Sequence, residues 1–132
     1  MKTMKIEIRR EHITRYGIDG RLFVDGVYVC DTAESVTHHL CMGRFDVTVE
    51  HNKHVGRKVI MLKAQREGAC DGMSKGFIAF GNGLHGFVDN RIYVGMHRVS
   101  GLLTQSFATF LTLYNRVNKA VSRGTRVELA VS

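Results

Sequence analysis

The sequence predicts an α+β or mainly β fold in one domain spanning 1–132. Three observations carry that expectation. Short segments with apolar residues at every second position recur along the chain, as in half-buried strands. Glycine-bearing turns separate them. A single stretch with apolar residues at helical spacing stands near the C-terminus and is followed by one last alternating segment.

The elements follow in order. Lys5-Ile6-Glu7-Ile8-Arg9 alternates polar and apolar and predicts a strand. Tyr16 to Gly20 supplies turn chemistry. Leu22 to Val29 holds an Asp25-Gly26 pair between β-forming residues. That pair predicts a two-residue hairpin, because both central positions of such a turn require positive φ. Asp31 to Leu40 is polar and is expected to be irregular. Arg44 to Val49 and Lys58 to Leu62 alternate again, with a loop at His51 to Gly56 between them.

Glu67 to Gly76 is rich in glycine and is expected to be exposed. Phe77-Ile78-Ala79-Phe80 predicts a short buried strand. Gly81 to Gly86 is a glycine-dense loop, where backbone can approach a ligand closely. Ile92-Tyr93-Val94 predicts another strand. The helix is predicted from Phe107, Phe110, Leu111, Tyr114, Val117 and Val121, which fall on one face. Ser100 or Thr104 is the expected cap at its start. Arg116, Lys119 and Arg123 favour its C-terminal dipole, and Gly124 is the expected stop. Arg126 to Val131 closes the pattern as a strand.

Composition narrows the function classes. The net charge of +7 favours anionic partners such as nucleic acid, an acidic cell-wall polymer or a membrane surface. The basic residues are dispersed, and no helix-turn-helix or zinc finger supports sequence-specific nucleic-acid recognition. Binding driven by charge alone would be non-specific and would weaken with salt. No segment is apolar and long enough to predict a membrane span. Met1 to Arg10 lacks the apolar centre of a secretory signal, so a cytoplasmic start is expected. Three cysteines, Cys30, Cys41 and Cys70, have no zinc spacing and are expected as reduced thiols.

The segment Ile78 to Val131 runs from a strand through a Gly-rich loop, a short strand and a helix to Arg123-Gly124-Thr125-Arg126-Val127 and a last strand. That order resembles the C-terminal half of L,D-transpeptidase catalytic domains, which cross-link or trim peptidoglycan through a cysteine nucleophile. Gly20 to Gly26, Cys30-Asp31-Thr32-Ala33-Glu34, Met42 to Val47, Gly81-Asn82 and Ile92 to Gly95 also resemble motifs of an uncharacterised family. That family is common in bacteriophages and their hosts and looks like a shortened form of the same fold.

The resemblance implies a histidine three residues before Asn82 and a cysteine just before Ile92. This sequence has Ala79 and Arg91 there. A cysteine nucleophile acts as the thiolate beside a base, and neither replacement can fill either role. The first reading is therefore a non-catalytic module that binds peptidoglycan, or that serves as a structural or accessory protein of a phage or mobile element. Virion association or delivery to the cell wall would follow from that context. The second is an active peptidoglycan-modifying enzyme with a relocated site, Cys70 as nucleophile and His85 as base. The third is a non-specific nucleic-acid binder. Asn82, His85, Asp89 and Arg91 are the expected lining of the ligand cleft, with Arg91 suited to a carboxylate or phosphate.

No cofactor and no metal are expected. His38-His39 with Cys41, and His51 with His54, lack the spacing of a tetrahedral set. Asp31 and Glu34 are expected to be structural, pairing with Arg21 or Arg44 rather than performing acid–base chemistry.

Overall fold

The structure is a computed structural model that describes residues 2–15, 17–37, 39–66, 72–81, 90–96, 98–99 and 102–132. The chain begins with a long hairpin of β1 (Thr3–Thr14) and β2 (Gly17–Val24). Strand β2 absorbs Gly17 to Gly20, which the sequence marked as a turn. The Asp25-Gly26 turn then leads into β3 (Val27–Glu34). Asp25 and Gly26 have φ of 50° and 84°, so both central residues are left-handed, as a type I′ turn requires. The Asp25 carboxylate accepts the Lys5 N–H at 2.9 Å and fastens the tip to the start of β1.

Strand β3 corrects a second expectation. Asp31 to Glu34 extend it rather than forming irregular chain. They are buried because β3 lies between two neighbours, β2 on one side and β7 (Arg91–Gly95) on the other. The remaining large strands are β4 (Gly43–Asn52), β5 (Arg57–Ala64), β6 (Lys75–Ala79) and, after the helix, β10 (Arg126–Val131). A two-stranded ribbon of β8 (Arg98–Val99) and β9 (Leu102–Leu103) lies between β7 and the helix.

Eight of these strands close into a barrel in the order β1-β10-β4-β5-β6-β7-β3-β2. Closure leaves no open sheet edge around the ring. Two neighbours run parallel, β1 with β10 and β6 with β7. The interior rows follow from register. Ile6 sits beside Leu129, Leu129 beside Phe45, Phe45 beside Ala64. On the other arc Ile60 sits beside Ile78 and Ile78 beside Ile92. All seven are buried and belong to one core.

The helix α1 (Ser106–Ser122) lies against β7, β10, β4, β5 and β6. Its buried face is Thr109, Phe110, Leu113, Tyr114, Val117 and Ala120. The predicted face is thus rotated: Phe107 and Val121 are exposed, and Leu113 takes the central place. Small residues at 109 and 120 let the helix axis come close to the strands, which a face of large residues would prevent.

The predicted cap at the helix start is also corrected. Ser100 lies outside the described residues, and the capping position is Gln105, left-handed at φ 51° with no side-chain cap bond. Ser106 is used for tertiary contact instead. Its hydroxyl donates to the Val94 carbonyl at 2.5 Å and accepts the Gly81 N–H at 2.9 Å. The C-terminal stop holds as expected. Gly124 has φ 76°, Thr125 N–H bonds Ala120 O at 2.9 Å and Gly124 N–H bonds Val121 O at 3.1 Å. This is a Schellman closure.

The glycine-rich segment before β6 is not the exposed loop expected, in the part that is described. Met73 N–H bonds His39 O at 2.9 Å and Cys41 N–H bonds Met73 O at 3.0 Å. Gly72 is pressed so close that a side chain would stand 2.7 Å from the Cys41 nitrogen. Among the described residues, no helix is long and apolar enough to cross a membrane.

Candidate functional site

The site is built on the parallel pair β6 and β7. Their register sets Phe77 beside Arg91, Ile78 beside Ile92 and Ala79 beside Tyr93. Ile78 and Ile92 line the barrel interior. Alternation then places Phe77, Ala79, Arg91 and Tyr93 together on the outer face. The two positions singled out in the sequence, 79 and 91, therefore share one face of neighbouring strands. What stands there is a fully buried methyl group and a guanidinium. Neither can take a proton from a thiol or attack a carbonyl.

Arg91 is held by its neighbours. Its guanidinium carbon lies 5.2 Å from the centre of the Phe77 ring and 5.3 Å from that of Tyr93. Both distances are within cation–π range. Its Nη1 donates to the Phe80 carbonyl at 3.3 Å. Its Nε is buried with no hydrogen-bond partner among the described residues. Burying a donor without an acceptor is costly, so such atoms are rare in folded proteins.

An open groove of about 520 Å³ runs along this residue. Asn52, His54, Lys75, Phe77, Asn90 and Arg91 are among its lining, and none of the described residues that line it is a carboxylate. The approach of β7 to β6 is fixed by backbone. Asn90, at φ 58°, accepts the Phe77 N–H at 3.0 Å through its carbonyl. Gly76 permits this, because any side chain there would collide with that carbonyl.

Of the residues expected to line the cleft, the structure places Arg91 in this groove. Asn82, His85 and Asp89 lie outside the described residues, as does Cys70 of the relocated pair. Cys30 and Cys41 are buried. The Cys30 thiol is pushed up to about 12, by burial first and by the nearby Asp31 second. It stays protonated near neutrality and is no nucleophile there. Among the described residues, no three of His, Cys, Asp and Glu gather in a way that could hold a metal ion.

Asp31 and Glu34 each have a side-chain partner, but not the ones expected. The Tyr28 hydroxyl donates to Asp31 at 2.9 Å. Glu34 receives Arg10, whose Nε and Nη2 reach its two oxygens at 2.9 and 2.7 Å. Arg21 turns instead to Glu11, at 3.2 Å. The sequence reading missed Arg10, Phe77, Tyr93, His54 and Lys75. The period-two spacing of Phe77 with Ala79 and of Arg91 with Tyr93 was the available signal for two of them.

No protein family, curated protein or solved structure matches this chain. The functional reading therefore rests on the residues themselves.

Proposed function

We propose that this chain is a non-catalytic, L,D-transpeptidase-like module that binds peptidoglycan or serves a phage or mobile element as a structural or accessory protein. The observation that carries the reading is the outer face of β6 and β7. Positions 79 and 91 lie together there, and they hold Ala79 and Arg91 in place of the histidine and cysteine that the resemblance implies. A cleft without its nucleophile can still hold its ligand. The described part of the groove keeps cationic and amide groups, which suit an anionic polymer.

The net charge of +7 supports the same reading by favouring approach to acidic wall polymers. Co-sedimentation with purified peptidoglycan at physiological salt tests it. The protein should pellet with the wall and stay in the supernatant without it. Absence from the pellet would count against a wall-binding role.

A further inference from the structure

We propose that Arg91 is a carboxylate-binding residue whose Nε and Nη2 together take one planar carboxylate of a ligand lying in the groove between His54, Lys75 and Asn90. This rests on the reading of that face as a binding cleft and names what the cleft recognises.

The protein itself supplies the pattern. Arg10 presents its Nε and Nη2 edge to Glu34 and satisfies both donors with one carboxylate. On Arg91 the Nε of that edge has no acceptor among the described residues. Its Nη1 is taken by the Phe80 carbonyl, and its Nε is buried. A guanidinium with one outer nitrogen anchored in this way presents a two-pronged donor that matches a carboxylate in geometry.

Two further features favour a ligand over an idle arginine. The rings of Phe77 and Tyr93 lie against the guanidinium and limit its rotation, so little order remains to be imposed on binding. Lys75 and His54 in the groove wall supply additional donors for the remainder of an anionic ligand. The carboxylate could come from a peptide chain end or from a small free acid. The chemistry at Arg91 is the same for both.

The experiment follows the Nε–Hε resonance of Arg91 by nitrogen–proton correlation in the intact protein, assigned by its loss in Arg91→Lys. Three ligands are titrated: an N-acetylated dipeptide with a free C-terminus, its C-terminal amide, and acetate. The inference expects both acids to shift the resonance and the amide to bind at least about tenfold more weakly, the loss of a charged hydrogen-bonded pair. A dipeptide tighter than acetate identifies a peptide end as the source, and equal affinities identify a small acid. Titrated by calorimetry, Arg91→Lys should lose the acids that the parent binds, since an ammonium cannot present the fork. An unmoved resonance, an amide as effective as the acid, or inorganic phosphate binding as tightly as either acid would overturn it.

The wall-binding reading fails separately. If the dipeptide binds but peptidoglycan does not pellet the protein, Arg91 stands and the wall reading falls. If Arg91→Lys pellets with the wall as well as the parent, the wall reading stands and the role of Arg91 falls.

Discussion

Arg10 and Glu34 face each other across the inner side of the barrel wall, joined by two hydrogen bonds of 2.9 and 2.7 Å although 24 residues separate them in sequence. Arg10 also donates to the Leu40 carbonyl at 2.6 Å. The two side chains are only 12% and 2% exposed, so this is a buried pair and not a surface one. Removing one member leaves the other charged and uncompensated, which costs about 3–5 kcal/mol. Glu34→Gln should lower unfolding stability by that order in urea titration followed by circular dichroism. Arg10→Met with Glu34→Leu should cost less than the single change, because neither charge remains. A single change costing under about 1 kcal/mol would show the pair to be as weak as a surface one.

Gly20 sits between Arg10 and Thr32 in the register of β1, β2 and β3. A side chain there would stand 2.8 Å from the Arg9 carbonyl oxygen and 2.8 Å from the Thr32 hydroxyl. The carbonyl belongs to a paired strand and cannot move freely. Gly20→Ala should destabilise by about 1–3 kcal/mol through overpacking, read as a lower Tm with unchanged far-ultraviolet circular dichroism.

The two ends of the helix predict changes of opposite sign. Gln105 is held left-handed at φ 51°, a conformation that costs an L-residue about 1–2 kcal/mol. Gln105→Gly relieves it and should raise stability by up to about 1 kcal/mol once the added freedom of the unfolded chain is subtracted. Gly124 at φ 76° has open space around it, so Gly124→Ala strains only the backbone and should cost about 1 kcal/mol. Denaturant midpoints of the two variants should move in opposite directions.

Cys30 makes stability depend on alkaline pH. Its thiol moves from an ordinary 9.0 to about 12 on folding, through burial and then Asp31. The folded chain therefore keeps a proton that the unfolded chain releases. The contribution is complete below about pH 9 and is lost as pH rises towards about 12. Tyr28 adds to the trend above pH 10.0, its hydroxyl raised by burial and by its hydrogen bond to Asp31. Cys30→Ala should flatten the fall between pH 9 and 11 in a series of denaturation curves. Iodoacetamide at pH 8.5 should leave Cys30 unmodified in the folded protein and label it in urea, as mass spectrometry of the digest would show.

The parts of the fold that the sequence foretold are those whose cause is local. The Asp25-Gly26 turn needs two left-handed residues in succession, and few dipeptides offer them. Gly124 ends the helix for the same kind of reason. The strand at Asp31 to Glu34 escaped notice because its residues are polar. Burial there depends on β2, on β7 and on Arg10, all remote in sequence. The helix face was misjudged by a rotation, because Thr109 and Ala120 are buried for being small rather than for being apolar.

The candidate site divides in the same way. Arg91 was legible because positions 79 and 91 depart from the order of motifs that the surrounding sequence resembles. Its surroundings were not, since Phe77, Lys75 and His54 reach it only through the parallel pairing of β6 with β7 and the turn between β4 and β5. No local pattern announces a parallel pair.

The measurement that bears most directly on the central claim is a muropeptide profile. Intact peptidoglycan is incubated with the purified protein, digested, and compared by mass spectrometry with an untreated sample and with a Cys70→Ala control. A non-catalytic module leaves the cross-links and stem peptides unchanged in all three. New or missing cross-links that vanish with Cys70→Ala would contradict the account and make this chain an enzyme.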